Sequence, residues 1–461
     1  MLSLLLSCQK NNDNDTKIDS IIVSSKAKVE VKAKYNDDYF DDSSYEFNLK
    51  RMKSSYVLAN ASNSKEDASS FLTQAGFSNI YSNDAYDDTK TDSIAYTIAS
   101  RKIDDDILIS CAIRGFNYGL EWYSNFQVGE SGVHTGFSEA KDKVIRGIIE
   151  YINDNNLNDS SIKFWITGYS RGGAVSNLVT KSLNQYAYYK TNNKLYNDIN
   201  FDYDYSNVSF NLKLDDIYCD TFEAPTVDTE ENINKLTEIN KNIFNGINPD
   251  DWITKIPSYL KRYGIDKNIT LNVDSEDLRK KASEFGLEDI GTFREVNMLN
   301  FPVSSITQNF YFNSFDSYIK AAGIKDRQTY YDTYQTSIST VMSYFINLGP
   351  ESLSTIISFA KDNPDFLKEF GVESETELLW QLAKDKIKLS DVILKYLDYN
   401  KISYDELVVE SFYVFDSLVS QFVKNDTDTK IHTATLMYNI NNIVDDHYSE
   451  LNYAYLLLYK E

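Results

Sequence analysis

Ser170 is the side chain of this sequence best placed to act as a nucleophile. It is the centre of a Gly-x-Ser-x-Gly pattern after an apolar stretch and before a stretch of helical character, Gly168-Tyr169-Ser170-Arg171-Gly172. A serine on a sharp strand-to-helix turn has a strained backbone, and the flanking glycines leave room for the turn. The positive end of the following helix would face a developing oxyanion. The pattern therefore predicts attack by the Ser170 hydroxyl on a carbonyl carbon.

The elements around Ser170 alternate between strands and helices. Two β-branched runs, 93–101 and 107–113, are separated by the turn-forming aspartates 104–106, which predicts a hairpin or two adjacent strands. Periodicity predicts helices over 56–61, 65–75, 137–156 and 171–183, and strands over 163–167, 216–222 and 242–247. Such alternation implies a largely parallel sheet covered by helices on both faces. We expect an α/β fold with Ser170 at the end of a strand.

The length of 461 residues exceeds what one hydrophobic core usually fills, roughly 250 to 300 residues. From about residue 258, helix-like stretches dominate and clear strand signals are few, so we predict a catalytic domain interrupted by a mostly helical insertion. The predicted divisions are 1–50 as a signal remnant and tether with an edge strand, 51–257 as the core with nucleophile and acid, 258–430 as the insertion, and 431–461 as a C-terminal segment with the histidine.

The formal net charge of −23 argues against two classes of partner. Binding of duplex nucleic acid depends on Lys and Arg that neutralise phosphates, so we expect no nucleic-acid partner. The same balance disfavours a basic patch that would bind anionic lipid. The hydrophobic share of 42% and the aromatic share of 14% still supply ample material for a core, so the chain is expected to be globular.

The N-terminus and the cysteines bear on location. An apolar run ends in Leu-Leu-Ser-Cys at residues 5–8 and then turns polar, which resembles the end of a bacterial lipoprotein signal, whose cysteine is lipidated. The run is shorter than the roughly 20 residues that span a bilayer, and it lacks the basic residues expected before it. We expect a secreted or cell-envelope protein whose membrane attachment depends on Cys8. Cys111 and Cys219 lie in runs typical of buried strands and form no metal framework.

Several motifs, in a shared order, resemble those of the class 3 lipases, a family of the α/β-hydrolase superfamily. The resemblance covers roughly 56–264 and the extreme C-terminus. Its motifs are Ile113-Arg114-Gly115 for the family's Phe-Arg-Gly-Thr, Trp122 and Asn125 after it, Val133-His134-Thr135-Gly136-Phe137 for Val-His-x-Gly-Phe, Gly168 to Ala174 for Gly-His-Ser-Leu-Gly-Gly-Ala, and Thr221-Phe222-Glu223-Ala224-Pro225-Thr226-Val227 for Thr-Phe-Gly-x-Pro-Arg-Val. The resemblance implies an α/β-hydrolase fold with a mostly parallel central sheet, interrupted here by the helical insertion.

The general base must be one of three histidines. In the hydrolase fold the triad runs Ser, acid, His along the chain, which excludes His134, and the family motif makes His134 a structural residue at a helix start. His447 begins a segment that resembles the His-Tyr-Pro-Glu and apolar-helix ending of bacterial relatives, so we predict His447 as the base. His432 also begins a helix-like run and stays the alternate, because the local pattern alone does not exclude it.

The acid is expected at the end of a strand between the serine and the histidine. The segment 248–257 resembles the family's Asp-Pro-Val-Pro-x-Leu-Pro, with Asp251 six residues before Pro257. We therefore predict Asp251 as the acid and keep Asp250 as the alternate. A solvated turn aspartate is the competing interpretation for each.

The oxyanion hole departs from the family pattern. The threonine or serine that usually follows Arg-Gly is Phe116, so a side-chain hydroxyl donor is absent. The resemblance leaves the backbone N–H groups of Phe116 and Arg171 as two donors to the oxyanion. The loss of one donor is expected to affect the rate of catalysis and to leave the reaction class unchanged.

The resemblance implies acyl transfer to Ser170 from an ester, with acylglycerol as the expected substrate and with no metal or cofactor. Two alternatives stay open: a serine peptidase or amidase with the same triad, and a surface-binding protein without catalysis. The insertion enters after Asp251 and leaves before the histidine, so it is expected to begin and end near the site and to act as a lid.

Overall fold

The computed structural model describes residues 15–23, 28–88, 90, 93–115, 121, 124–125, 132–206, 208, 210–249, 251, 253–255, 260–287, 351–384, 386–401, 447 and 449–460. Its strands are β1 (Thr16–Val23), β2 (Lys28–Tyr35), β3 (Ser78–Ser82), β4 (Tyr96–Ile103), β5 (Asp106–Ile113), β6 (Ser161–Tyr169), β7 (Ile217–Phe222), β8 (Asp228–Thr229), β9 (Ile243–Ile247), β10 (Leu260–Lys261) and β11 (Ile265–Asn268). Its α-helices are α1 (Leu49–Ala61), α2 (Lys65–Gln74), α3 (Thr135–Asp154), α4 (Arg171–Asn192), α5 (Glu230–Leu236), α6 (Ser275–Ser283), α7 (Glu351–Asp362), α8 (Pro364–Glu369), α9 (Glu375–Ala383), α10 (Leu389–Tyr399) and α11 (Ser449–Leu458).

Seven strands form the central sheet, in the order β11-β9-β7-β6-β5-β4-β3. In this sheet β11, β9, β7, β6 and β5 pair in parallel, whereas β5, β4 and β3 pair antiparallel. The pair β4–β5 matches the hairpin or adjacent strands predicted before residue 113, and β8 and β10 form a separate antiparallel pair. Near the end of β6, Gly168 is paired with Ile113 of β5 on one side and with Thr221 of β7 on the other. The carboxyl ends of the parallel strands therefore share one edge, where open α/β sheets bind their ligands. This is the α/β fold with a mostly parallel central sheet that the sequence predicts.

Two hydrophobic clusters cover the two faces of the sheet. On one face Trp165 and Tyr169 of β6 pack with residues of α1, α2 and α11, and on the other Phe164 and Ile166 pack with residues of α3 and α4. Alternate residues of β6 thus enter opposite clusters, as the period of a strand requires. Because the middle of β6 is buried on both faces, its three central residues, Phe164-Trp165-Ile166, are all apolar. Cys111 and Cys219 lie in the second cluster as buried free thiols.

The segment before α1 adds structure of its own. The sequence predicts a tether with an edge strand there, and the structure forms a separate two-stranded antiparallel sheet from β1 and β2. Ile18 and Ile22 of β1 and Val31 of β2 are buried in the first cluster. The apolar residues at a spacing of two give this hairpin one face that packs on the core. Cys8 lies outside the described residues.

The sheet continues beyond residue 257, where the sequence suggests that the insertion begins. β11 pairs in parallel with β9 as an edge strand, and α6 packs against α11. Gly264 has a φ of 91°, and a Cβ there would collide with the carbonyl oxygen of Ile243, so glycine permits the close approach of β11 to β9. β11 reads Ile-Asp-Lys-Asn and is mostly exposed, so it has no apolar pattern by which the sequence could reveal it.

Four helices within the predicted insertion, α7 to α10, form a hydrophobic cluster of their own. Its buried members are Ile356, Ala360, Phe366, Leu367, Val372, Leu378, Leu379, Leu382, Leu389, Val392, Ile393 and Leu397. The remainder of that prediction, 288–350 and 402–430, lies outside the described residues. Within the described ranges, no helix has the length and apolar character needed to cross a membrane.

Candidate active site

Ser170 stands on the sharp turn that joins β6 to α4. Its φ of 51° and ψ of −123° are unusual for a residue with a side chain, which marks a strained position. The turn is fixed by two backbone hydrogen bonds: the Ser170 N–H donates to the Phe222 carbonyl at 2.8 Å, and the Ala174 N–H donates to the Ser170 carbonyl at 3.0 Å. The backbone of β7 and the first turn of α4 therefore hold the serine in place.

The glycines on either side of Ser170 are required by close packing. A Cβ on Gly168 would collide with the backbone of Gly172, and a Cβ on Gly172 would collide with the carbonyl oxygen of Ile113. A Cβ on Gly115 would likewise collide with the carbonyl oxygen of Tyr169. The turn and the end of β5 therefore pack backbone against backbone, which allows no side chain at these three positions.

The structure brings Ser170, His447 and Asp251 together in one hydrogen-bonded chain. His447 Nε2 lies 2.9 Å from Ser170 Oγ, and His447 Nδ1 lies 2.6 Å from Asp251 Oδ2. Asp251 is fully buried, whereas the His447 side chain is 21% exposed. A base that reaches the serine with one ring nitrogen and a carboxylate with the other is the arrangement that activates a serine hydroxyl.

Aromatic side chains fix the backbone around His447. Tyr169 Oη donates to the His447 carbonyl at 2.8 Å and receives a hydrogen bond from Asn452 Nδ2 at 3.2 Å. Tyr56 Oη donates to the Ser449 carbonyl at 2.7 Å. These tyrosines lie between β6, α1 and the start of α11. The histidine is therefore held at its backbone carbonyl by Tyr169 and at its ring by Ser170 and Asp251.

Asp251 lies in a tight turn after β9. Its backbone N–H donates to the Asn248 carbonyl at 3.1 Å, and its Oδ1 accepts a hydrogen bond from the Ile253 N–H at 2.9 Å. Thr254 Oγ1 donates to its carbonyl at 2.8 Å. The carboxylate thus has a fixed orientation toward His447. The alternates Asp250 and His432 lie outside the described residues.

His134 has the structural position that the sequence analysis gives it. It precedes α3, and its Nδ1 accepts a hydrogen bond from the Phe137 N–H at 3.4 Å, while Nε2 lies 3.2 Å from the Asn125 carbonyl oxygen. Burial lowers its pKa to about 3, so the ring is neutral and caps the helix. Both ring nitrogens are engaged, which leaves none for a substrate.

Arg171, the first residue of α4, has two potential functions at the site. Its backbone N–H lies at the positive end of the helix, where an oxyanion would be stabilised. Its buried guanidinium donates to Ser124 Oγ at 2.9 Å and lies 3.6 Å from Glu121, which also accepts from Arg114 Nη2 at 2.7 Å. This network, which the sequence analysis missed, fastens the serine turn to the segment after β5. Phe116, the other predicted oxyanion donor, lies outside the described residues.

Glu223 is a second feature that the sequence analysis missed. It directly follows β7 with a φ of 46°, and it is fully buried. Both of its carboxyl oxygens accept from the Asn248 N–H, at 3.0 and 3.1 Å, and the Asn248 carbonyl in turn accepts from the Asp251 N–H, so the two acids are neighbours. Burial and the neighbouring Asp251 carboxylate hold the pKa of Glu223 well above its usual range. The signal was readable: an acid stands where the quoted family motif has glycine.

Part of the chain is similar to a known protein family. Residues 110–261 match the family described as Lipase (class 3), a range that contains Ser170 and Asp251. A curated relative, secreted mono- and diacylglycerol lipase 1 of Fusarium solani, is 33% identical over 103 residues. This match covers 21% of the chain and 30% of the relative, so the chain spans less than a third of that relative's length.

Solved lipase structures resemble about half of the chain. The triacylglyceride lipase of Rhizomucor miehei has 16% sequence identity and a TM-score of 0.30, over 48% of this chain and 80% of that one. The lipase of Rhizopus microsporus var. chinensis has 14% identity and a TM-score of 0.33, over 48% of this chain and 74% of that one.

Proposed function

We propose that this chain is a serine hydrolase that cleaves carboxylic esters. The observation that carries the proposal is the continuous hydrogen-bonded chain from Ser170 Oγ through the His447 ring to the Asp251 carboxylate. The match of residues 110–261 to the class 3 lipases supports the same reaction class. The strained backbone of Ser170 adds support, because such strain is kept where function requires it.

The mechanism follows from which atoms face each other. His447 Nε2 takes the proton of Ser170 Oγ as the oxygen attacks the ester carbonyl, and Asp251 fixes the ring tautomer and stabilises the imidazolium that forms. The Arg171 N–H, with the Phe116 N–H as the proposed second donor, stabilises the oxyanion of the tetrahedral intermediate. His447 then gives the proton to the leaving alcohol, which leaves an acyl-enzyme. In the second half, His447 takes a proton from water as the water attacks the acyl carbon, and it returns that proton to Ser170 Oγ as the carboxylic acid leaves.

Exchange of the nucleophile tests this proposal. Ser170→Ala is expected to lower hydrolysis of p-nitrophenyl esters by about 1,000-fold or more and to abolish labelling by a fluorophosphonate probe, because triad members act as a unit. Ser176→Ala, at a buried serine six residues further along in α4, is the matched control and should keep both activities. A folded Ser170→Ala variant that retains more than a few per cent of wild-type turnover would refute the assignment.

We propose acylglycerols as the substrate class. The curated relative is a mono- and diacylglycerol lipase by name, and the sequence motifs are those of lipases. A panel of mono-, di- and triacylglycerols beside p-nitrophenyl esters and p-nitroanilides tests the proposal. Faster cleavage of the anilides than of any ester would favour an amidase or peptidase instead.

We also propose that the protein acts outside the cytoplasm, attached to a membrane through lipidated Cys8. The relative from Fusarium solani is named as secreted, and the segment 5–8 resembles a lipoprotein signal end. Lipidation predicts that the wild-type protein enters the detergent phase on phase partitioning and that Cys8→Ser moves it to the aqueous phase. Equal partitioning of the two forms would contradict the anchor.

A further inference from the structure

Behind His447 two buried carboxyl groups, those of Glu223 and Asp251, are neighbours, and at least one of them must be protonated. Glu223 and Asp251 are both fully buried, and Asn248 joins them: its N–H donates to the Glu223 carboxyl group, and its carbonyl accepts from the Asp251 N–H. Two neighbouring carboxyl groups cannot both be ionised in a site that excludes water, since like charges raise the cost of ionising the second group. One proton must therefore lie between these two groups, and the surrounding contacts decide which carboxyl group holds it.

Asp251 has the donors of an anion. The proposed function places the His447 Nδ1–H at 2.6 Å from its Oδ2, and the Ile253 N–H donates to its Oδ1 at 2.9 Å. Among the residues that the structure describes, Glu223 has one donor, the Asn248 N–H, which its two oxygens share at 3.0 and 3.1 Å. The carboxyl group with more and stronger donors keeps the charge. The proton therefore belongs to Glu223.

The charged and titratable groups around Glu223 agree with this assignment. Arg262 is a cation that acts to lower the pKa of Glu223, and that guanidinium is already paired with Asp266 at 2.7 Å and donates to the Ala224 carbonyl. Tyr56 and Tyr169 also lie near it, and burial raises the pKa of both phenols, so they are neutral. Burial and the Asp251 charge act in the opposite direction to Arg262 and outweigh it.

We propose that Glu223 is a protonated carboxylic acid that donates its O–H to the Asp251 carboxylate and so positions the acid of the triad. The inference rests on the proposed function and deepens it. Glu223 touches neither substrate nor serine and acts through Asp251 alone. As a third donor it fixes the carboxylate from behind and takes up part of its negative charge, which would otherwise act fully on the His447 ring. The proton stays on Glu223 throughout the cycle.

The backbone at Glu223 supports a functional reason for the side chain. A φ of 46° favours glycine, and the quoted family motif has glycine at this position, so an acidic residue here adds strain where glycine would relieve it. The same conformation provides a useful variant. Glu223→Gly removes the carboxyl group and relieves the backbone, so the variant is expected to fold.

Two variants with opposite expectations test the inference. Glu223→Gln keeps a neutral donor to Asp251 and an acceptor for the Asn248 N–H, so it should lose no more than about threefold in kcat. Glu223→Gly should lower kcat by about 10- to 100-fold, the loss of one hydrogen bond to a charged group, with KM within about twofold. Glu230→Gln, at an exposed glutamate that begins α5, is the control.

The acid limb of the kcat/KM profile, which reports ionisation of the base, separates positioning from a merely structural role. It should stay in place in Glu223→Gln and move to higher pH in Glu223→Gly, because the unshared Asp251 charge favours the imidazolium. If Glu223 were ionised instead, Glu223→Gln would remove a negative charge near the ring and move the limb to lower pH by about one unit or more. That result would overturn the inference, as would an unmoved limb in Glu223→Gly.

Infrared spectroscopy supplies a readout that is independent of turnover. The difference spectrum of wild type minus Glu223→Gln at neutral pH should contain the carbonyl stretch of a protonated carboxylic acid, and the band should shift in heavy water. Absence of the band would overturn the inference even in an active enzyme. A band in a protein that hydrolyses no ester would instead leave the protonated Glu223 in place and refute the proposed function.

Discussion

At the scale of single residues, two buried tyrosines position the backbone of the histidine that contacts Ser170. Tyr169 and Tyr56 donate to the carbonyls of His447 and Ser449, and the ring of Tyr56 stacks on that of Tyr453 at 5.3 Å. The backbone that carries the His447 ring is therefore fixed, and the two ring nitrogens bind serine and acid. This matters because a general base must keep hydrogen-bond distance to the proton that it removes.

The choice between the two late histidines is tested by exchanging each in turn. His447→Ala is expected to abolish ester hydrolysis and fluorophosphonate labelling, a loss of about 1,000-fold or more, because the serine loses the group that accepts its proton. His432→Ala should keep most of both activities. Loss of activity in the His432 variant and its retention in the His447 variant, with both proteins folded, would reverse the assignment.

Residue-level prediction from the sequence depended on local signals. The glycines at 168 and 172 identify Ser170 from the sequence, and a motif with proline six residues after Asp251 indicates the acid. His447 and His432 begin similar helical runs, so only contact with Asp251 across 196 residues of chain separates them. The buried ion pairs of Arg171 were out of reach for the same reason, because nothing in the sequence states which side chains meet in space.

At the scale of elements, α1 is joined to the middle of the sheet by a buried ion pair. Arg51 Nε lies 3.0 Å from Asp220 Oδ2 on β7, and the two side chains are 1% and 0% exposed. Ser55 on the next turn also donates to Asp220, at 2.8 Å, and accepts from Trp165 Nε1. Ser55 and Asp220 thus connect α1 with β6 and β7 beneath the site.

Removal of one partner of this ion pair is expected to destabilise the fold. Arg51→Leu leaves Asp220 buried without its counter-ion, which should lower the free energy of unfolding in urea by about 3 to 5 kcal/mol. The double variant Arg51→Met with Asp220→Leu should recover most of that loss, since two apolar groups need no partners.

The exposed pair of Lys235 and Glu231 on α5 is the matched control for this experiment. Its side chains are 50% and 76% exposed, so Lys235→Ala should leave the urea midpoint unchanged. A single Arg51 variant as stable as the wild type would mean that Asp220 finds another partner or water.

Elements with a strong pattern were predicted well, and those without one were not. The runs of apolar residues gave β5, β6, α3 and α4 to within a few residues at most boundaries, whereas α4 extends well past residue 183 to Asn192. The sequence did not predict β11, because an exposed edge strand needs no apolar face and so leaves no apolar pattern. Pairing along the sheet depends on contacts between distant segments, so strand order could be stated only as an expectation of the fold class.

At the scale of the whole molecule, the described residues contain three separate hydrophobic clusters. Two cover the faces of the sheet, and the third joins α7 to α10 without a member from any strand. The division of the chain at 258–430 remains a prediction. The third cluster agrees with an insertion that has a core of its own.

The insertion hypothesis is tested by excision. The rings of Phe285 after α6 and Tyr453 in α11 lie 5.8 Å apart, so the two ends of the core are close, and a Gly/Ser linker of about 20 residues can replace 288–430, the part of the predicted insertion that follows α6. The shortened protein is expected to keep fluorophosphonate labelling of Ser170 but to change its chain-length preference or interfacial activation, since lids gate access. An unchanged preference in a folded variant would show that the insertion has another purpose.

The order in which the chain is synthesised gives the late position of His447 a further meaning. The proposed base follows Ser170 by 277 residues, which at about 5 to 20 residues per second is a delay of roughly 14 to 55 seconds. Before the end of that interval every strand of the central sheet has been synthesised, but the proposed base has not. The proposed mechanism therefore predicts that a nascent chain hydrolyses no ester until α11 docks on the sheet.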